Sequence, residues 1–128
     1  MWFKIKPGKR KISTIVLQKY TFRTYKYLPM KLPNECHNIE EVRQEIDKID
    51  QAIIGLIGKR FSFIKEIIKY KTNADDVYAK NRYKDVISKR REIAVSHYLN
   101  PDVIESMYRI MMDYFIKEQL ELLKNKQK

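Results

Sequence analysis

Residues 39–71 read IEEVRQEIDKIDQAIIGLIGKRFSFIKEIIKYK, and this stretch decides the fold. Steps of three and four pick out Ile39, Val42, Ile46, Ile49, Ile53, Leu56, Arg60, Phe63, Ile67 and Lys71 as one stripe. That is the period of an α-helix. Asn38, with Glu41 three residues on, supplies an N-cap and a capping box, and no proline interrupts the run before Thr72. The spacing predicts one helix of about 33 residues, about 50 Å long. Such a rod is too long for a compact monomer of about 100 residues, whose radius of gyration would be about 13 Å. A second copy of the chain is expected to cover it, so the protein reads as a homodimer.

Beyond the long helix, residues 72–81 (TNADDVYAKN) break the period with Asn and Asp and read as a loop. A second helix is expected from about Asn81 to His97, with Tyr83, Val86, Ile87, Arg90, Ile93 and Ala94 on one side. Asn100-Pro101-Asp102 is a start signal, an N-cap followed by proline at the first helical position. It opens a third helix running to about Lys124, with Ile104, Met107, Tyr108, Met111, Tyr114, Phe115 and Leu122 on its apolar faces. Only three glycines and four prolines occur in the 128 residues, which fits an all-α chain.

The formal net charge of +11 is unevenly placed. Residues 1–29 hold eight Lys or Arg and no acid, which leaves nineteen basic against sixteen acidic side chains in the rest. Two parts are therefore expected: a basic extension, 1–29, and a nearly charge-balanced helical domain, 30–128. The extension is rich in β-branched and aromatic residues, so any order in it would be strand-like. It reads as disordered or absent from the mature protein and without a catalytic role, in preference to a basic arm or a targeting segment. A balanced body argues against nucleic acid as its partner. The single cysteine, Cys36, excludes an intrachain disulfide and points to a reducing compartment, the cytoplasm. No apolar run approaches the roughly 18 residues that span a membrane.

Two cations interrupt the apolar stripe. Arg60 and Lys71 are eleven residues apart, very nearly three turns, so on one helix they point the same way with backbones about 16 Å apart. Their long side chains can converge and leave room for a small dianion. The plain alternative is that both reach the surface or pair with buried acids. Gln119 is a third polar residue among apolar ones, following Ile104, Tyr108, Met111 and Phe115; its amide can donate to a ligand or to neighbouring backbone. Arg43 lies about 100° around the helix from Arg60 and can reach such a pocket only across a dimer. Arg82 can close over it from the loop side, although an isolated arginine is more often simply solvated. His37, His97 and Cys36 lack spaced partners, so no metal or cofactor is implied, and no glycine-rich phosphate loop occurs. A cationic pocket without an acid or base suits a reaction that needs positioning and electrostatic stabilisation.

These residues resemble a known family. IEEVRQEIDKIDQAIIGLIGKRFSFIKEIIKYK, NRYKDVISKRREIA and MMDYFIKEQLELL together are similar to the all-helical type II chorismate mutase fold. Within it the likeness is to the isochorismate pyruvate lyase branch, the salicylate-forming enzymes, which also share a lead-in like LPNEC. The resemblance covers about residues 31–124. It implies an intertwined three-helix homodimer acting on a small dicarboxylate without a cofactor. Arg60 would bind a substrate carboxylate, and Arg43 of the partner subunit the carboxylate of the enolpyruvyl side chain. Lys71 and Gln119 would sit at the ether oxygen as the catalytic pair, with Arg82 and Tyr83 lining the site. Residues 72–80, including Asn73, Asp76 and Ala79, would form a lid that excludes water.

Three departures bear on the substrate. The mutase pattern has a glutamate at the position of Tyr83, an aspartate at Ala79 and a small polar residue at Phe115. Their loss removes contacts to chorismate and leans toward the lyase, giving salicylate and pyruvate, with a siderophore pathway as one destination. Weak mutase activity is expected alongside. Chorismate mutase proper is the nearest alternative, and a non-catalytic binding module using the basic arm is a further one.

Overall fold

The structure is a computed structural model, in which residues 29–128 are described; the expectations for the segment before Pro29 lie outside the described residues. A 3₁₀ turn, Pro33–Glu35, leads into helix α1, Ile39–Ile67, which tightens into a second 3₁₀ turn, Ile68–Tyr70. A short helix α2, Ala74–Tyr78, follows, then α3, Lys80–Ser96, and α4, Pro101–Lys126. The described residues contain no strand, as the glycine- and proline-poor composition predicts. The chain divides into two compact units, the first ending at Arg60 and the second opening at Phe61.

In the first unit, Asn38 Oδ1 accepts the Glu41 N–H at 2.9 Å, as an N-cap should. The Glu41 carboxylate reaches back to the His37 N–H at 3.0 Å, one residue earlier than a regular capping box requires. Lys31 also pairs with Glu41 at 3.0 Å. Glu45, the buried residue of α1, is held by Lys48 Nζ at 2.7 Å and by the Lys31 N–H at 3.3 Å. The apolar stripe of this unit is exposed, Ile39 by 65% and Ile53 by 47%.

The second unit is built on α4. Its inward residues, Met112, Phe115, Gln119 and Leu123, are all buried and follow one another at helical steps. Ile68 and Val77 pack with Leu123, and Ile116, Leu120 and Leu122 lie against that cluster. Further along, Val86 and Ile87 of α3 pack with Met112, flanked by Tyr83 and Tyr108. Each such aliphatic side chain contributes about 1.5–3 kcal/mol when fully removed from water. Phe61 stacks on Phe115 with ring centroids 4.8 Å apart and planes within 14°. Asn100 caps α4 as its sequence predicts, accepting from the Asp102 N–H at 2.8 Å ahead of Pro101. Ile93, Met107 and Tyr114, expected on apolar faces, remain exposed.

Two expectations need correction. The first helix does not run to Lys71: it ends at Ile67, and its last carbonyls are taken up by i→i+3 closure, Lys71 N–H to Ile68 O at 3.2 Å. Residues 72–81 are not a plain loop either. Asn73 Oδ1 accepts the Asp76 N–H at 3.0 Å and caps a helical turn, with Asp75 and Asp76 at its positive end. Val77, 4% exposed, anchors that turn in the core.

Candidate active site

Lys71 is the capping residue that follows the 3₁₀ turn, in an extended conformation (φ −99°, ψ 139°). Its side chain is half-buried and Nζ donates to the backbone carbonyl of Asp76. The segment carrying it is fastened to the end of α4. Lys126 Nζ donates to the carbonyls of Ile68 (3.1 Å), Lys69 (3.2 Å) and Lys71 (3.1 Å), and Gln127 Nε2 to that of Thr72 (3.0 Å).

The predicted lid residues Asn73, Asp76 and Ala79 frame the short helix α2. The Asp76 carboxylate accepts the Thr72 N–H at 3.0 Å and the Thr72 hydroxyl at 2.8 Å. These bonds hold its carboxyl below the usual carboxylate range, with the Lys71 charge adding to them. Ala79 closes the turn in the left-handed region (φ 40°, ψ 56°), giving its N–H to Asp75 O at 3.0 Å. A residue with a β-carbon is strained there.

Gln119 is buried, at 9% exposure, on the inward stripe of α4 between Phe115 and Leu123. No side-chain hydrogen bond engages its amide among the described residues, so the amide remains open to a partner. One turn earlier on α4, Phe115 is taken up in the stack with Phe61.

Tyr83 is half-buried, and its hydroxyl donates to Asp113 Oδ1 at 2.8 Å. Burial first, and the Asp113 carboxylate second, push its phenol pKa up, so it stays protonated. The Arg109 guanidinium lies 5.7 Å from its ring centroid. Arg82 is exposed. In the first unit, Arg43 is exposed and reaches Glu40 at 3.8 Å, while Arg60 is half-buried. The second unit thus brings Lys71, Thr72, Asn73 and Asp76 together and places Gln119 one turn from the Leu123 contact that seats Ile68. It turns the Tyr83 hydroxyl toward Asp113.

Two grooves on this unit have Tyr83 as a wall but neither Lys71 nor Gln119. The larger is lined by Lys80, Lys84, Arg91 and Arg109 among others. Its arginines are already neutralised, Arg91 by Asp102 and Glu105, and Arg109 by Glu105 at 2.7 Å. The open amide of Gln119 and the cation of Lys71 are candidates for receiving an anion. Among the described residues no three His, Cys, Asp or Glu side chains are grouped to hold a metal. Sequence reading missed Lys126, Gln127 and Asp113. Lys126 had a visible signal, since it extends the 112, 115, 119, 123 stripe by a further step of three.

Comparison with known proteins agrees with this architecture. The family model described as chorismate mutase type II matches residues 42–120. An isochorismate pyruvate lyase from Pseudomonas aeruginosa is 25% identical over 92 residues, covering 72% of this chain and 91% of the relative. A T-protein from Enterobacter agglomerans is 29% identical over 72 residues, 56% of this chain but 19% of the relative's length.

Proposed function

The chain belongs to the chorismate mutase type II family, and from that premise we propose that it is an isochorismate pyruvate lyase, releasing pyruvate from isochorismate to leave salicylate. The observation that carries the lyase reading over the mutase one is the engagement of Tyr83 with Asp113. Chorismate's ring hydroxyl would need a polar contact at this position. What stands there is a protonated phenol whose own hydrogen bond is already made.

The chemistry proposed needs no general base. The ether C–O bond of the enolpyruvyl group breaks as a ring hydrogen moves to its terminal carbon. The ring becomes aromatic, giving salicylate, and the three-carbon fragment leaves as pyruvate. Negative charge grows on the ether oxygen, and Lys71 and Gln119 are the donors assigned to it. A donor placed in advance at that oxygen stabilises the transition state more than the ground state. Closure of α2 over the site would lower the local dielectric and strengthen the Lys71 charge. Arg60 and Arg82 are assigned to the carboxylates and the loop side, and Arg43 enters from the partner subunit. The homodimer is supported by the uncovered stripe of α1, which a lone chain would leave in water. No helix among the described residues is long and apolar enough to cross a membrane, which fits work in the cytoplasm. Salicylate made there could feed a siderophore.

The second reading, chorismate mutase, rests on the description of the family itself. The experiment is to supply isochorismate and chorismate separately and follow salicylate fluorescence and prephenate. Salicylate from isochorismate is expected; prephenate with no salicylate would overturn the lyase reading.

A further inference from the structure

We propose that Lys126, close to the end of the chain, is a positioning residue for Lys71, and that α4 thereby sets the spacing between Lys71 and Gln119. The inference rests on the assignment of these two residues to the reaction.

An ammonium group has three N–H donors, and in Lys126 all three are spent on one short stretch of backbone, the carbonyls of Ile68, Lys69 and Lys71. These carbonyls lie at the end of the α1 run, where the helix dipole is negative; that of Ile68 already accepts the Lys71 N–H and takes Lys126 as a second donor. A cation is the group that end calls for. Gln127 adds a fourth tie at Thr72 O. The backbone on both sides of the Lys71 side chain is thus pinned, while its Nζ is turned toward the Asp76 carbonyl.

Lys126 also occupies a particular register. It lies seven residues beyond Gln119, close to two full turns, so the two share a face of α4 about 10 Å apart along the axis. One rigid helix therefore carries the Gln119 amide and the anchor for the segment bearing Lys71. The Ile68–Val77–Leu123 cluster fills the interval between them. The helical run ends at Tyr70 and holds Lys71 only through its N–H bond to the Ile68 carbonyl, and the clamp adds to that hold. A purely stabilising role explains the arrangement less well. Ordering a long lysine side chain at a helix end offsets much of what its hydrogen bonds contribute.

The test is Lys126→Met, which keeps the apolar stem and removes the three donors, with Lys126→Arg as the conservative variant. With isochorismate, kcat should fall roughly 10- to 100-fold, the scale of a small misplacement of a reacting group, while KM is held. Lys126→Arg should recover most of the loss. An unchanged kcat in Lys126→Met, or an equal loss in both variants, would overturn the inference. So would a loss that disappears when the assay is run well below the variant's melting temperature, since that marks a stability effect. Should Lys126→Met not fold, Gln127→Ala decides: a smaller fall in kcat supports the clamp, and none overturns it. The two levels are separable. Wild-type protein inactive on both isochorismate and chorismate brings down the functional reading and this inference together. Active wild type with a fully active Lys126→Met brings down the inference alone.

Discussion

Replacing Lys71 by methionine isolates the charge on which the proposed chemistry depends. Methionine retains the length and apolar character of the stem, so the half-buried site stays filled. The one side-chain hydrogen bond removed is that to the Asp76 carbonyl, with a net stability contribution of about 0.5–1.5 kcal/mol. The turn it supports keeps its other ties: Asn73 to the Asp76 N–H, Thr72 to the Asp76 carboxylate, and Val77 in the core. The variant should therefore stay folded. Catalysis is another matter. Losing one donor to a developing oxyanion costs about 2.7–4 kcal/mol, or roughly 10²- to 10³-fold in kcat. Because the interaction strengthens only as the C–O bond breaks, KM should move much less than kcat. Salicylate fluorescence against isochorismate concentration gives both constants, and circular dichroism on the same samples reports the fold. A folded Lys71→Met enzyme with kcat within about tenfold of wild type would refute the role assigned to Lys71.

Other residues give independent checks. Gln119→Leu should lower turnover while holding or raising the melting temperature, because it removes a buried amide with no hydrogen bond among the described residues; a drop in stability with full activity would contradict this. Ala79→Gly should stabilise the protein by about 1 kcal/mol, since glycine takes the left-handed conformation at φ 40° without strain, and a thermal melt reads it directly. The Asp76 carboxyl is held below its ordinary 3.8, so its contribution is present above that value and is lost as pH falls through the depressed one. Asp76→Asn should accordingly flatten the acid limb of a stability–pH profile and leave the neutral region less stable than wild type; an unchanged acid limb would count against the Thr72–Asp76 contacts.

How much of this was legible in the sequence depends on how local each signal is. Asn38 and Asn100-Pro101 announced their helices because an N-cap acts on N–H groups two or three residues away. The family resemblance, carried by charged residues spread over three helices, led to the right fold. The end of α1 was not legible. Ile68, Lys69 and Tyr70 continue a helical pattern, and only the closure at Lys71 and the ammonium of Lys126, 55 residues on from Lys71, stop it. Residues 74–78 make too short a helix to show a period, and their order comes from the Asn73 cap and the burial of Val77. Tyr83 was singled out as a departure from the mutase pattern, but its partner Asp113 is 30 residues away and follows from how α3 lies on α4. Lys126 stands between Lys124 and Lys128, and that composition hides a position that periodicity marks.

The central claim is that this chain prefers isochorismate, using Lys71 and Gln119 as donors with a tyrosine, Tyr83, in place of the glutamate of the mutase pattern. The most direct measurement is a competition: equal concentrations of isochorismate and chorismate in one sample, with salicylate, pyruvate and prephenate followed together by proton NMR. The account predicts that salicylate and pyruvate rise in equal amounts while chorismate is still largely intact. Consumption of chorismate to prephenate ahead of any salicylate would contradict it.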